Sequence, residues 1–439
     1  MARARDVALT VLGRVEEDRA FAAAALDAEL GKLPDVRDRA LATELVLGVL
    51  RRQSWLDRLL EDASTKGLGR VDPTIRRILR IAAYQLAWLE RVPARAAVSE
   101  AVAQAKRSRA PGLAGLVNGL LRNLASRERA ALLPPDDDDG AAVEELAARL
   151  GQRPWLVARL VEAFGRERAL AIVAAFDRPS RRTMRVNATR ESRAGVASTA
   201  GESATIGELS PWAIDVGDPV AARRLEEEGV AVHQDEGAQL VVLAADPGPG
   251  TRILDACAGR GGKTGALAAA AGDAAIVAVD RQASKLARLE FELGRQGFSA
   301  TTAEADLTSD AAAIEGPFDL VLLDAPCSGS GTLGRRPEIR WRLEPGDVEQ
   351  LVAVQRRMLD RVAGLVASGG RLVYAVCSLL PEECDGHLEG FLARHDDFSL
   401  VTDPPATWPA AVPWNGGRIL IDPSETRTDS YRMLCLTRR

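Results

Sequence analysis

The chain has 439 residues, 46% of them apolar and 27% charged, which leaves room for about two to four domains, each with its own buried core. No apolar run reaches the roughly 18 residues that a membrane-crossing helix needs, and the charged start Met1–Thr10 does not read as a signal peptide, so a cytoplasmic protein is expected. Five cysteines (Cys257, Cys327, Cys377, Cys384, Cys435) all fall in the second half, which argues against a disulfide framework; with three histidines and no paired Cys or His at ligand spacing, no protein-bound metal is expected.

The net charge of −5 hides an asymmetry, because residues 1–133 carry 23 Lys and Arg against 16 Asp and Glu while the remainder carries 34 against 46. A basic module suits RNA anchoring, since Lys and Arg gain affinity by displacing phosphate counterions. A solvated helix face would have the same composition.

Residues 2–130 predict helix after helix, with apolar residues at three and four spacing, as in Leu41, Leu45, Leu47 and Leu50, or Ile75, Ile78, Leu79 and Leu86. Asp72-Pro73 places a capping carboxylate and a first-turn proline ahead of the helix that carries Ile75. A further helix follows Pro93 and runs through the cluster Lys106, Arg107 and Arg109. Pro134-Pro135, the run Asp136–Asp139 and Gly140 cannot continue a packed helix, so a first domain of 1–133 is expected to end there.

Residues 141–230 predict a small α+β linker domain, with a helix from Ala141, a second over Pro154–Phe164, and short strands at Thr183–Asn187 and Trp212–Ile214. Across 231–439, apolar runs at Arg252–Leu254, Ala275–Val279, Phe318–Leu323 and Arg371–Ala375 alternate with helical stretches, the pattern of an α/β, doubly wound parallel sheet.

Three segments carry chemistry. In the first, a strand leads through Asp255-Ala256-Cys257-Ala258-Gly259-Arg260-Gly261-Gly262-Lys263-Thr264 into a helix, so backbone amides can approach a ligand closely. The spacing is not that of a P-loop, and a purely structural turn remains open. In the second, Asp280 ends the following strand, where a carboxylate can accept the ribose hydroxyls of NAD and S-adenosylmethionine equally well. Asp306, after a third strand, is placed either for an adenine amino group or as a loop cap.

In the third, Phe318–Leu323 runs into Asp324-Ala325-Pro326-Cys327-Ser328, and Leu372–Val376 runs into Cys377-Ser378, with Pro381-Glu382-Glu383 beyond. Either cysteine alone would more often be a small buried apolar residue. Two of them at strand ends beside an acid make a constellation suited to attack on an electron-poor ring.

Together, Asp-Ala-Pro-Cys-Ser (324–328), Tyr-Ala-Val-Cys-Ser (374–378) and Cys-Ala-Gly-Arg-Gly-Gly-Lys-Thr (257–264) resemble the NOL/NOP/Sun family of RNA cytosine-5 methyltransferases. Val232-His233-Gln234-Asp235-Glu236 and Arg185-Val186-Asn187 are similar to segments upstream of the cofactor strand in that family. Residues 1–130 resemble a NusB-type helical RNA-binding domain through Asp38-Arg39-Ala40, Asp72–Arg76 and Val117–Asn123.

The resemblance covers essentially the whole chain. It implies a multidomain protein: an all-α NusB-like domain, a small α+β RNA-binding or linker domain, and a Rossmann-like class I methyltransferase domain. The implied cofactor is S-adenosyl-L-methionine and the implied partner is RNA, foremost small-subunit (16S) ribosomal RNA, acted on by a monomer without membrane or metal. By similarity Cys377 is the nucleophile that adds to cytosine C6, Cys327 assists product release, Asp324 hydrogen-bonds the ring at N3, and Lys263 contacts the base or Asp324. A helix-start cation is an alternative role for Lys263. The methionine–nucleoside pocket would be formed by Cys257, Ala258, Gly259, Gly261, Gly262, Lys263, Asp280, Lys285, Asp306 and Asp324.

The sequence departs from the family pattern at Arg260 in place of a proline, at Val376 in place of a threonine, and at Asp429-Ser430-Tyr431 in place of Asp-Gly-Phe. Methylation of tRNA or another RNA, a non-catalytic RNA-binding assembly factor, and methylation of DNA or a small molecule, with Cys327 as the attacking thiol, are the alternatives.

Overall fold

A computed structural model describes residues 3–65, 67–135, 140–178, 181–309 and 314–439. The Asp136–Asp139 run, where the first domain boundary is expected, lies outside the described residues. The chain divides into two units, Met1–Asp177 with Arg335–Arg342, and Arg178–Gly334 with Leu343–Arg439.

The first unit is helical: α1 (Ala4–Glu17), α2 (Ala22–Leu30), α3 (Val36–Ala63), α4 (Pro73–Trp88), α5 (Ala94–Arg107), α6 (Ala114–Ala125), α7 (Val143–Arg149), α8 (Pro154–Phe164) and α9 (Arg166–Ala175). As the dipeptide Asp72-Pro73 predicts, the Asp72 carboxylate accepts from the Thr74 and Ile75 amides and Pro73 opens α4. This helix is the centre of the unit: Ile75, Ile78, Leu79, Ala82 and Ala83 are buried in one core with Leu45, Val49 and Leu56 of α3. Gly165, with φ +77°, ends α8 and starts α9, a third helix that the short pattern after Phe164 does not announce.

Part of the basic excess serves this fold. Arg77 and Arg80 are buried; Arg77 pairs with Glu16 and Glu17, and Arg80 with Asp57 and Glu16, at 2.7–2.9 Å. The α5 cluster differs: Lys106 and Arg107 in its last turn and Arg109 just beyond it are exposed. The segment Arg335–Arg342 comes from far along the chain. Its buried Arg340 donates to the Arg51 and Gly151 carbonyls at 3.1 and 3.3 Å and faces Asp177 at 3.5 Å, while Trp341 Nε1 donates to the Leu50 carbonyl at 2.7 Å. Burial lowers the Arg340 pKa to about 10.

The second unit holds two sheets. The smaller has the order β2–β3–β1–β4 and is antiparallel, with β1 (Thr183–Val186), β2 (Ala204–Ile206), β3 (Ala213–Val216) and β4 (Ala231–His233). The larger contains β5 (Arg252–Asp255), β6 (Ala275–Asp280), β7 (Thr301–Glu304), β8 (Phe318–Asp324), β9 (Val366–Val376), β10 (Phe398–Leu400), β11 (Arg418–Leu420) and β12 (Arg432–Arg438). Its order is β10–β12–β9–β8–β5–β6–β7, with β11 on β12. Strands β5 to β9 run parallel and β10 to β12 join antiparallel.

Successive residues of the parallel strands enter opposite cores, because side chains alternate across a strand. Ile253, Leu320, Leu322, Val373 and Ala375 pack with the helices Glu236–Ala245 and Gly262–Ala271. Leu254, Val321, Leu323, Leu372 and Tyr374 pack with the helices Pro345–Ala363 and Asp385–Arg394 on the other face. Both faces are therefore apolar and covered, and polar side chains collect at the carboxyl ends of the strands, where open sheets bind ligands.

Candidate active site

The turn after β5 is built by backbone bonds: the Ala256 amide donates to the Leu322 carbonyl at 2.8 Å and the Ala258 amide to the Val279 carbonyl at 2.9 Å. Gly261 has φ +86°, and a Cβ there would lie 2.8 Å from Leu289, so a side chain fails on both counts. Gly262 opens the helix, and its carbonyl accepts from Gln234 Nε2 at 3.2 Å. Asp255 is buried beneath the turn and accepts from Thr264 Oγ1 at 2.7 Å; burial raises its pKa to about 6 against the opposing effect of that hydrogen bond.

At the end of β6 the Asp280 carboxylate accepts from the Gly259 amide at 3.1 Å and the Gln282 amide at 3.0 Å, with Lys285 Nζ at 3.5 Å. A cavity of about 200 Å³ opens beside it, lined by Cys257, Asp280, Lys285 and Asp306 and by the apolar Pro326, Leu351, Val354 and Met358. A carboxylate and apolar side chains lining one cavity fit a nucleoside, whose ribose hydroxyls donate and whose purine is flat and weakly polar. Asp306 lines the cavity and caps its own loop, accepting from the Thr308 amide and hydroxyl at 2.9 and 2.7 Å. Those two bonds hold its carboxyl below the usual range. Burial pushes the Cys257 thiol up to about 12, so it lines the cavity as a neutral group.

Of the residues expected in the cofactor pocket, Ala258, Gly259, Gly261, Gly262, Lys263 and Asp324 are absent from the lining of this cavity. Lys263 Nζ lies 2.7 Å from Asp324 Oδ2, 3.5 Å from the Tyr431 hydroxyl and 4.9 Å from the centre of that ring. Burial lowers the pKa of its ammonium, but Asp324, with Tyr431 and Cys377, more than offsets this and holds it above its ordinary value. A cation at a helix start opposes the helix dipole; here the partner that offsets this comes from the end of β8.

Asp324 stands opposite Ala375 in the β8–β9 register, and the Ala325 amide donates to the Ala375 carbonyl at 2.9 Å. Just past these strand ends the Sγ atoms of Cys327 and Cys377 lie 3.3 Å apart. The hydrogen bond with Cys377, then burial and nearby carboxylates, raise the Cys327 thiol well above its usual value. Cys384 and Cys435 are buried away in the cores.

Several residues here have no role that the sequence pattern announces. Leu351, Val354 and Met358 of the helix Pro345–Ala363 wall the cavity. Tyr431 stands out in the sequence only as a motif departure, and Glu383, Ser328, Ser378 and Gln355 form a buried polar network beneath the thiols. Among the described residues no group of three or more His, Cys, Asp or Glu could hold a metal ion, and no helix is long and apolar enough to cross a membrane.

A doubly wound sheet with a glycine turn, an acid closing the next strand and a cavity beside that acid defines a Rossmann-like nucleoside-binding domain, here in a chain whose other unit is helical. The family model for the 16S rRNA methyltransferase RsmB/F matches residues 242–430, and that of the NusB family matches residues 2–126. A probable ribosomal RNA small subunit methyltransferase B from Synechocystis is 35% identical, over 91% of this chain and 91% of its own. Its counterpart in Bacillus subtilis is 32% identical over 99% and 98%. The crystal structure of PH0851 covers 100% of this chain and 99% of its own at 23% identity, with a TM-score of 0.82. A methyltransferase homolog protein from Pyrococcus horikoshii, 24% identical, covers 68% and 99% with a TM-score of 0.58. The chain belongs to the ribosomal RNA small subunit methyltransferase B family.

Proposed function

We propose that this protein transfers a methyl group from S-adenosyl-L-methionine to C5 of a cytosine in small-subunit ribosomal RNA, through a covalent adduct with Cys377. The observation that carries the reading is the 3.3 Å approach of the Cys327 and Cys377 sulfurs, at the strand ends that also present the Lys263–Asp324 pair. Cytosine C5 is too weak a nucleophile to accept a methyl group unaided, and a thiolate adding at C6 pushes electron density onto C5.

In this reading Cys377 forms the S–C6 bond, and Asp324 hydrogen-bonds the ring at N3. The Lys263 ammonium behind Asp324 balances the charge that builds on the ring in a water-poor site. Asp280, Lys285 and Asp306 hold the nucleoside part of the cofactor beside Cys257 and the backbone of Ala258, Gly259, Gly261 and Gly262. When bound, that cofactor supplies an electrophilic methyl group. After C5 is alkylated its proton must leave, with the S–C6 electrons returning to Cys377. Cys327 assists this release as a thiolate: its own proton passes to solvent first, and the sulfur then takes up the C5 proton as the S–C6 bond breaks.

The target base must leave its stack to be reached, which is cheapest in an RNA loop. Residues 1–133 serve as the RNA anchor through exposed side chains such as Lys106 and Arg109, residues 141–230 as a smaller linker, and 231–439 as the transferase, in a cytoplasmic monomer. The test is transfer of labelled methyl to ribosomal RNA with nucleoside analysis of the product. Label in 5-methylcytosine supports the reading. Tight RNA binding without any transfer would instead favour an assembly factor.

A further inference from the structure

Beyond the last ladder bond of β8 and β9, one backbone bond joins the two loops, from the Gly331 amide to the Cys377 carbonyl at 3.0 Å, and the sulfurs of Cys327 and Cys377 are in contact. What lies beneath them is a fully buried carboxylate. Glu383 accepts from the Ser328 amide at 2.8 Å, from the Ser328 hydroxyl at 2.5 Å and from the Ser378 hydroxyl. Ser328 follows Cys327 and Ser378 follows Cys377, so one side chain grips the residue next to each thiol. Gln355 completes the grip, donating to Glu383 at 3.1 Å and to the Pro326 carbonyl, on the other side of Cys327, at 2.9 Å. Ser330 ties the same two loops, lying 3.0 Å from the Ser378 hydroxyl and accepting from the Leu379 amide at 3.0 Å. Glu383 is itself anchored, because the Tyr374 hydroxyl of β9 donates to its carbonyl at 2.6 Å.

Sinking a carboxylate this deeply costs several kcal/mol unless every lone pair is used, and an apolar side chain would close the same space at no such cost. The network is therefore best explained by what it holds. We infer that Glu383 is a positioning residue that sets the separation of Cys327 and Cys377 by clamping Ser328 and Ser378, an inference that extends the cysteine-adduct reading above. It touches no reacting atom. Its effect is on the geometry in which one thiol can attack and the other can assist release.

The test reads that geometry without requiring methyl transfer. With the diazene oxidant diamide, the two thiols give up two protons and two electrons, the diazene becomes a hydrazine, and a Cys327–Cys377 disulfide forms at a rate set by how closely the sulfurs meet. Wild type should crosslink rapidly, with Cys327→Ser and Cys377→Ser as blanks. Glu383→Ala should slow crosslinking, and lower kcat by roughly 10- to 100-fold if methyl transfer is observed, since a misplacement near 1 Å costs about that much. KM for the cofactor should stay within about twofold, because Glu383 does not line that cavity. Glu383→Gln should restore most of the crosslinking, since its amide can donate to the two hydroxyls and its oxygen can still accept from Ser328 and Gln355. Should Glu383→Ala fail to fold, Ser378→Ala removes one arm of the clamp and is read the same way, with a smaller slowing.

Crosslinking as fast as wild type in a folded Glu383→Ala or Ser378→Ala protein overturns the inference, as does failure of Glu383→Gln to recover it. Normal crosslinking behaviour without any methyl transfer by wild type would leave the clamp standing and defeat the functional reading instead.

Discussion

Replacing Asp280 with asparagine separates cofactor binding from chemistry. The Asp280 side chain is 4% exposed, its two oxygens accept from the Gly259 and Gln282 amides with Lys285 Nζ at 3.5 Å, and the residue lines the cavity. Ribose hydroxyls donating there would make hydrogen bonds to a charged acceptor, worth about 1.5–3 kcal/mol each. Asparagine keeps one oxygen, and whichever way its amide turns, its NH₂ meets a backbone N–H that it cannot satisfy. Loss of one charged hydrogen bond corresponds to a weakening of roughly 10- to 150-fold in cofactor affinity. Calorimetric titration with S-adenosylmethionine, and with the thioether left after transfer, measures this directly, and kcat at saturating cofactor should change little. Affinity within about twofold of wild type, in a variant that melts normally, would refute the assignment of Asp280.

Lys263→Met leaves Asp324 without its cation. Because the Asp324 side chain is 27% exposed, the stability loss should be about 1–3 kcal/mol, less than for a fully buried pair, and urea melts will read it. Single-turnover transfer should fall roughly 100-fold, as when a preorganised charge is removed from a site; an unchanged rate would remove Lys263 from the mechanism. Asp255 offers a pH test. Its folded pKa of about 6 exceeds its ordinary 3.8, so the folded state binds the proton more tightly. The associated stability is present below 3.8 and disappears as pH rises through 6, about 3 kcal/mol in all. The stability of wild type relative to Asp255→Asn should therefore fall by about that amount between pH 4 and 7, and a flat difference would contradict the burial argument.

Much of this site is written in contiguous stretches of chain. Asp255 to Lys263, Asp280, Asp324 to Cys327 and Cys377 all stand at the ends of parallel strands, so an apolar run followed by a polar or glycine-rich break marks each one in the amino-acid sequence itself. The Asp72-Pro73 cap is equally local. Contacts made across long separations are different. Tyr431 meets Lys263 from 168 residues away, and Glu383 meets Ser328 from 55. Nothing near Arg340 indicates that Arg335–Arg342 joins the helical unit through the carbonyls of Arg51 and Gly151. The count of basic residues is similarly incomplete, since charge composition does not distinguish Arg77 and Arg80, held in internal ion pairs, from the exposed Lys106 and Arg109.

The most direct measurement is the covalent state of Cys327→Ser protein after incubation with small-subunit ribosomal RNA and S-adenosylmethionine. If Cys377 attacks the base and Cys327 is needed for release, a denaturation-resistant protein–RNA complex should accumulate, and peptide mapping should place the nucleotide on Cys377. An adduct on another residue, or undiminished turnover with no adduct at all, would contradict the proposed chemistry.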